Sequence, residues 1–243
     1  MKIYKGIVLA DFHCPYQDKK LVSLYRKFID EFKPDEIVLN GDVLNYASYS
    51  RHGKRDNETA NENIGVDHTE AIITLDTLFG GFNIKNKIWI DGNHDENQDK
   101  FFTEFPDQYD EAIHRYNKLQ LRKRGFKVIL PYLKSYKSGK LNFTHGFRSG
   151  VNAVRTHLEK DYKANFVMGH IHRSDIATSY NIEENCIQGY SIGCSTKLDF
   201  KYARAKGSNH GFGIYYVLPN GNFQFYNMMI IGYKFIFEGQ VWS

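Results

Sequence analysis

Five short polar clusters, each following an apolar run, constrain this chain more than any other feature. They are Asp11-x-His13, Gly41-Asp42, Gly92-Asn93-His94-Asp95, His145-Gly146 and Gly169-His170-x-His172. Residues 88–95, IWIDGNHD, are the sharpest case. Apolar residues alternate up to a glycine-containing turn, and the turn sets down Asp91, Asn93, His94 and Asp95. That is the pattern of a buried strand ending in a loop at the carboxyl edge of a sheet, where α/β folds assemble their sites.

Between the clusters the periodicity alternates in kind. Residues 3–10 read as a first strand. Leu21, Leu24, Tyr25, Phe28 and Phe32 then recur at helical spacing until Lys33-Pro34 stops them, and residues 36–40 form the next strand. Strand, helix, strand at this length predicts a parallel, right-handed βαβ unit. Residues 64–79 are a second helix closed by Gly80-Gly81, residues 86–90 a third strand, and residues 97–124 one or two helices rich in charged and aromatic residues. Short strands are expected at 126–130, 132–136, 140–144 and 164–168, with a helix over 151–158. The remainder carries turn signals at Gly189, Gly193 and Pro219-Asn220-Gly221, which predict an antiparallel-rich end supplying a second sheet. No repeat or low-complexity linker divides the chain, so residues 1–243 are expected to form a single domain.

Bulk properties exclude several classes. A chain of 243 residues with 42% hydrophobic and 25% charged content has the make-up of an ordinary globular protein. No apolar run approaches the roughly 20 residues that span a bilayer, and the apolar start is interrupted by Asp11 too soon for a signal peptide, so a cytoplasmic location and no membrane partner are expected. The three cysteines form no CxxC pair, which argues against a disulfide framework. Cys14, beside His13, reads as a small buried thiol or as an extra ligand. A net charge of +4 permits an anionic substrate without demanding nucleic acid.

Pooled, the five clusters offer carboxylate, imidazole and amide donors. This mixed oxygen and nitrogen set suits Mn²⁺, Fe or Zn²⁺ better than a closed structural zinc, which favours sulfur. In Asp11-x-His13 and His170-x-His172 the outer residues of an extended segment share one side, so both can reach one cavity. A carboxylate such as Asp42 can bridge two cations about 3.5–4 Å apart.

In these motifs the sequence resembles the calcineurin-like metallophosphoesterases, whose blocks run DxH, GDxx, GNH(D/E), a lone H and GHxH in that order. All are present from Asp11 to His172, roughly the first two-thirds of the chain. The resemblance implies a four-layer α/β/β/α sandwich of two mixed sheets. It implies two divalent metal ions, Mn²⁺ in the first instance with Fe, Zn or Ni as alternatives. By resemblance Asp11, His13, Asp42 and His172 hold the first metal and Asp42, Asn93, His145 and His170 the second. His94 contacts the phosphate and protonates the leaving oxygen, a metal-bound hydroxide attacks phosphorus in line, and Asp95 supports the ligands from behind.

One block departs from the protein-phosphatase branch, which reads GDxxDRG. Here Asn45 replaces the second Asp and no Arg follows. An Asn45 oxygen can orient His94 but stabilises an imidazolium less than a carboxylate does. Together with GNHD in place of GNHE, this favours a phosphodiesterase acting on a nucleotide, DNA or RNA over a phosphomonoesterase. The chain also resembles the compact stand-alone members found in microbes and their viruses. A binding module that has lost catalysis is the third alternative, disfavoured because His94 and all the expected ligands stand.

Some features carry two readings. The polar stretch 46–63, with Arg51, His52, Lys54 and Arg55, is a solvated loop or a substrate-contact loop. His210 lies among small residues, in a structural turn or a loop facing substrate. Lys197, Lys201, Arg204 and Lys206 with Phe200 and Tyr202 form a solvated loop or a base-stacking, phosphate-binding stretch. The run 228–237 is a buried strand pair, or else a membrane or partner surface. His52, His68, His114 and His157 have no ligand-like partner in sequence and read as surface or core residues.

Overall fold

The Ile-Val-Leu-Ala run at the start is continuous rather than alternating because its strand is covered on both faces. In a computed structural model, which describes residues 3–50, 63–180, 185–199 and 207–243, β1 spans Tyr4–Leu9 and its last four residues are buried. Helix α1 (Lys19–Phe32) begins where the Asp18 carboxylate accepts the amides of Lys20 and Leu21, each at 3.0 Å. It buries Leu21, Leu24, Tyr25, Phe28 and Phe32 on one stripe and ends at Lys33 in the left-handed conformation. Strands β2 (Glu36–Asn40) and β3 (Asn86–Ile90) and helix α2 (Ile64–Phe79) have the bounds expected from periodicity. β4 (Phe126–Ile129) completes a parallel run β1-β2-β3-β4. Leu9 pairs with Leu39 and Asn40 with Ile90, so β1, β2 and β3 release the chain at one edge of the sheet.

The segment 97–124 resolves into α3 (Asn97–Glu104), a 3-10 turn (Pro106–Gln108) and a single turn α4 (Arg115–Lys118). The strand expected at 132–136 is displaced. Pro131 heads a turn closed by the Lys134 amide on its carbonyl, and β5 runs Tyr136–Ser138. β6 (Leu141–Phe143) and β7 (Phe166–Met168) follow, separated by α5 (Ala153–Thr156) and a π-helical turn (His157–Tyr162). β8 (Asp175–Tyr180) and β9 (Cys186–Ser191) close a second sheet of order β5-β6-β7-β9-β8.

The late β-rich segment does not all enter that second sheet, as the sequence suggested. β10 (His210–Val217) and β11 (Phe223–Ile230) return to the first, giving β11-β10-β1-β2-β3-β4. Almost all of β10 is buried, which demands an interior position, and it finds one antiparallel to β1. After β11 the run 228–237 turns at 231–234. Its second half, β12 (Phe235–Phe237), pairs with β13 (Gln240–Trp242) rather than with β11.

Three apolar clusters define the four layers. One lies between α1, α2 and the first sheet. A second, with Val8, Val38, Ile88, Phe143, Val167 and Tyr215, fills the space between the sheets. The third packs Val154 and Leu158 on Phe166 and Met168. Each sheet therefore has a helical outer face and shares an inner one. Among the described residues no helix is long and apolar enough to cross a membrane. The three cysteines are unpaired.

On α2, His68 is buried with its Nε2 2.7 Å from the Tyr46 hydroxyl, just beyond the Asp42 loop. Burial, then the Lys118 and His114 charges, holds its pKa down at about 4. The neutral ring contributes stability that is complete above the unfolded value of about 6.5 and is lost as pH falls toward 4. Between pH 7 and 5 this loss is expected to reach at most about 2 kcal/mol. Urea melts should show that His68→Gln narrows the pH 7 to pH 5 stability gap relative to wild type. An unchanged gap would assign the titration elsewhere.

Candidate active site

The five polar clusters meet at the edge where the parallel strands end. Three overlapping ligand groups arise there: Asp11, His13 and His172; His13, Asp42 and His94; and Asp42, His145 and His170. His13 Nε2 lies 3.0 Å from His172 Nε2 and 3.7 Å from Asp42 Oδ2, and His172 Nε2 lies 3.4 Å from Asp11 Oδ1. On the other side of Asp42, its Oδ2 is 3.1 Å from His145 Nε2. Asn93 Oδ1 lies 3.2 Å from His145 Nε2 and 2.8 Å from His170 Nδ1. Asp11, His13, Asp42, His145 and His172 are buried, whereas Asn93, His94 and His170 are half-buried and form the open side.

Convergence does not come from strand alternation, as the spacing suggested. Asp11, His13, Asp42, His170 and His172 have φ of 56°, 49°, 51°, 71° and 58°, in the left-handed region. Each loop curls immediately after its strand, and the curl aims the side chains inward. Non-glycine residues hold this conformation at a local cost of the order of 1–3 kcal/mol, and such strain clusters at functional sites.

The imidazoles are oriented from behind. His145 Nδ1 donates to the Asn40 carbonyl at 2.9 Å, and His13 Nδ1 to Asn45 Oδ1 at 3.2 Å, so both rings turn Nε2 toward the cluster. His94 Nδ1 donates to the Asn45 backbone carbonyl at 2.8 Å. The Asn45 side chain expected to orient His94 therefore serves His13, and its main chain takes the other task.

Charge is matched within the cluster. Burial raises the Asp42 pKa, but His145 and His94 outweigh it and hold the carboxyl well below the usual range. Burial lowers His145, yet the Asp42 charge lifts it to about 9. His13 is driven well down by burial and by its His94 neighbour. The Nε2 atoms of His13 and His172 face one another 3.0 Å apart beside the Asp11 and Asp42 carboxylates, so a shared proton or a cation can lie between them. This donor set fits divalent cations. Asp11, His13, Asp42 and His172 could hold one, and Asp42, Asn93, His145 and His170 a second.

Two glycines in these motifs are required by close approach. A Cβ on Gly92 would lie 2.1 Å from Asp42 Oδ1, and one on Gly41 would lie 2.2 Å from His145 Nδ1. Gly92→Ala is accordingly expected to displace Asp42, weaken cation binding at least about 10-fold and leave the distant sheets folded. Calorimetric titration with Mn²⁺ beside a far-UV spectrum checks this.

Asp95 ties two loops together. Its Oδ2 accepts Gly92 N at 2.9 Å and its Oδ1 accepts Leu44 N at 3.0 Å. Burial, then the Asp91 and Asp42 charges, pushes its pKa up to about 8. His210 does not join the cluster. It opens β10, and its Nε2 lies 2.9 Å from the Thr196 carbonyl, a structural contact rather than one facing substrate. Cys14 Sγ is 3.7 Å from Thr74 Oγ1 on α2, and burial pushes its pKa up, so it is a packed thiol and not a ligand. Arg51, the rest of the polar stretch at 51–62, and Phe200, Lys201, Tyr202, Arg204 and Lys206 lie outside the described residues.

Sequence reasoning assigned no role to Asn40, Asp91 or Arg115, and His157, read as a surface or core residue, lies in the core. Asn40 was legible as a lone polar residue closing an apolar strand. Its amide donates to the Thr144 carbonyl at 3.0 Å, joining the two sheets behind the site. His157 is buried at the start of the π-helical turn, where its Nε2 accepts the Arg148 amide at 3.1 Å. His114, read as structural, pairs with Asp99 at 2.9 Å.

Two packed mixed sheets with this ligand edge define a metal-dependent phosphoesterase fold. The family model for calcineurin-like phosphoesterases matches residues 5–187, and the chain belongs to that family, whose members hydrolyse phosphoesters with two metal ions. Its relatives include the Gene 54 proteins of Mycobacterium phages D29 and L5, 26% and 24% identical over 98% of both chains in each case. Among solved structures, Vacuolar Protein Sorting 29 from Cryptosporidium parvum superposes with a TM-score of 0.50 at 13% identity, covering 98% of this chain and 94% of that one. The phosphoesterase YfcE from E. coli gives a TM-score of 0.45 at 15% identity, covering 92% and 98%. The first likeness is one of fold.

Proposed function

We propose that this protein is a dinuclear metal-dependent phosphodiesterase that cleaves a phosphoester bond of a nucleotide or nucleic acid. The observation that carries the reading is the pairing of His94 Nδ1 with the Asn45 carbonyl, at the position where a phosphatase-type block has a carboxylate and an arginine. The carbonyl takes the Nδ1 hydrogen and leaves Nε2 as the ring nitrogen that can act on the substrate. Arginines whose contacts are described after the motif loops are committed elsewhere. Arg115 meets Asp91, Arg148 meets Asp161, and Arg173 meets the Val151 carbonyl. A singly charged diester needs less positive charge than a doubly charged monoester, and this supports the diester.

Two divalent cations, when bound, supply activated water and neutralise phosphate charge. Mn²⁺ is the assay metal of choice for such an oxygen and nitrogen set. The chain's own groups do the rest. Asp42, kept ionised, ties the two ligand groups together and accepts the His94 amide at 2.8 Å. Asn45 fixes the rings of both His13 and His94. His94 Nε2 delivers the proton to the leaving oxygen.

The test is hydrolysis of bis(p-nitrophenyl) phosphate against p-nitrophenyl phosphate, with Mn²⁺ and with EDTA. A diester preference abolished by EDTA is expected, and it justifies a panel of single-stranded DNA, RNA and cyclic nucleotides. A monoester preference would make the protein a phosphomonoesterase. No turnover with any metal would make it a binding module.

A further inference from the structure

Arg115 sits in a segment whose sequence reads as ordinary helical cap, yet it is fully buried. A guanidinium taken wholly out of water is tolerated only when its charge and donors are matched. Here its Nη2 lies 2.7 Å from Asp91 Oδ2, 2.5 Å from Asp99 Oδ2 and 2.7 Å from the Tyr116 hydroxyl. Its Nε lies 3.3 Å from Asp91 Oδ1, and its backbone amide donates to Gln98 Oε1 at 2.8 Å. Asp91 is bound further by the Trp89 indole N–H at 2.7 Å and by the Tyr116 hydroxyl.

The placement of the partners matters more than their number. Asp91 leaves the end of β3 two residues before Asn93, and Asp99 lies in the first turn of α3, five residues after His94. One rigid fork therefore grips the entry and the exit of the turn that carries Asn93 and His94. A lysine has the charge but not the paired Nε and Nη2 donors that hold both oxygens of Asp91 while Nη2 also reaches Asp99. Metal and proton-transfer constellations need their side chains held within about 0.5 Å, which a loop does not achieve unsupported.

We infer that Arg115 is a positioning residue for the Asn93–His94 turn, acting through Asp91 and Asp99. This rests on the reading of that turn as part of the metal-holding site. It predicts that loss of the fork loosens the turn before it loosens the fold.

Arg115→Lys and Asp99→Asn are compared with wild type. The second removes one arm on the solvent side, where the Asp99 side chain is 43% exposed, and it folds even where the first does not. Hydrogen exchange is read at the Gly92 and His94 amides, with Leu141–Phe143 as the reference. Mn²⁺ affinity is measured by calorimetry and turnover on a diester. The expected result is exchange at least 10-fold faster in the turn and unchanged in the reference strand. Mn²⁺ affinity should weaken about 10- to 100-fold, and kcat should fall with KM little changed. Exchange in the turn as slow as in wild type, or accelerated equally throughout the chain, overturns the inference. Failure of wild type to bind Mn²⁺ would instead remove the metal-site reading, and the exchange result would still decide the role of Arg115.

Discussion

Asp42→Asn is expected to reduce diester turnover by roughly 10²–10³-fold or more and to cut the Mn²⁺ retained per chain, read by plasma mass spectrometry, by at least half. The size follows from position. The Asp42 carboxylate lies between the His13 side and the His145 side of the cluster, 3.7 and 3.1 Å from their Nε2 atoms, and its other oxygen accepts the His94 amide at 2.8 Å. Asparagine keeps the shape and one acceptor, but it replaces the shared anionic oxygen with an amide that presents either a neutral oxygen or two N–H groups. His13 and His145 thereby lose their common partner, while the retained oxygen still accepts the His94 amide. Because Asp42 is buried, no water screens the loss.

His94→Gln is expected to behave differently. Turnover should fall about 10²–10⁴-fold with Mn²⁺ content unchanged, since His94 lies on the half-buried side and its Nδ1 is engaged by the Asn45 carbonyl. The loss should depend on the leaving group. A p-nitrophenolate departs without a proton, so the defect is smaller on bis(p-nitrophenyl) phosphate than on a dinucleotide whose sugar oxygen must be protonated. An equal defect on both substrates would mean that His94 binds phosphate and transfers no proton. Full activity in both the Asp42 and the His94 variants would falsify the assignment of the site.

Much of this site could be read from the chain itself because its residues follow strands directly. β2, α2 and β3 have the bounds that periodicity predicts, and β1 and α1 lie within two residues of theirs. In a parallel run the strand ends fall at one edge, so ordered polar clusters after successive apolar runs are neighbours whatever the sequence distance between them. That places Asp11, Asp42 and Asn93 together before any coordinate is known, whereas His145 reaches them from the end of β6 in the second sheet. Local pattern also marked Lys33-Pro34 as a helix stop, whereas the Asp18 cap shows only in the structure.

Other features depend on contacts that leave no local trace. The acceptor for His94 is a main-chain carbonyl, which every residue has, so Asn45 was read for its side chain. The inward aim of Asp11, His13, His170 and His172 comes from left-handed backbone that only packed surroundings enforce on a non-glycine residue. Arg115 looks solvent-facing by composition, and it is buried because Asp91 and Asp99 are held 2.7 and 2.5 Å away by the ends of two different elements. β10 and β11 read as generic late strands, and burial on both faces of β10 assigned them to the first sheet.

The sequence alone thus determined the family, the order of the ligand loops and the strand–helix alternation that lines them up, because these are short-range patterns of burial and turn chemistry. Tertiary structure alone decided which sheet the late strands complete, which atoms hold each imidazole and which buried cation steadies the Asn93–His94 turn. Those outcomes rest on non-local pairing and on which carboxylates share a water-free space, and no window of neighbouring residues encodes either.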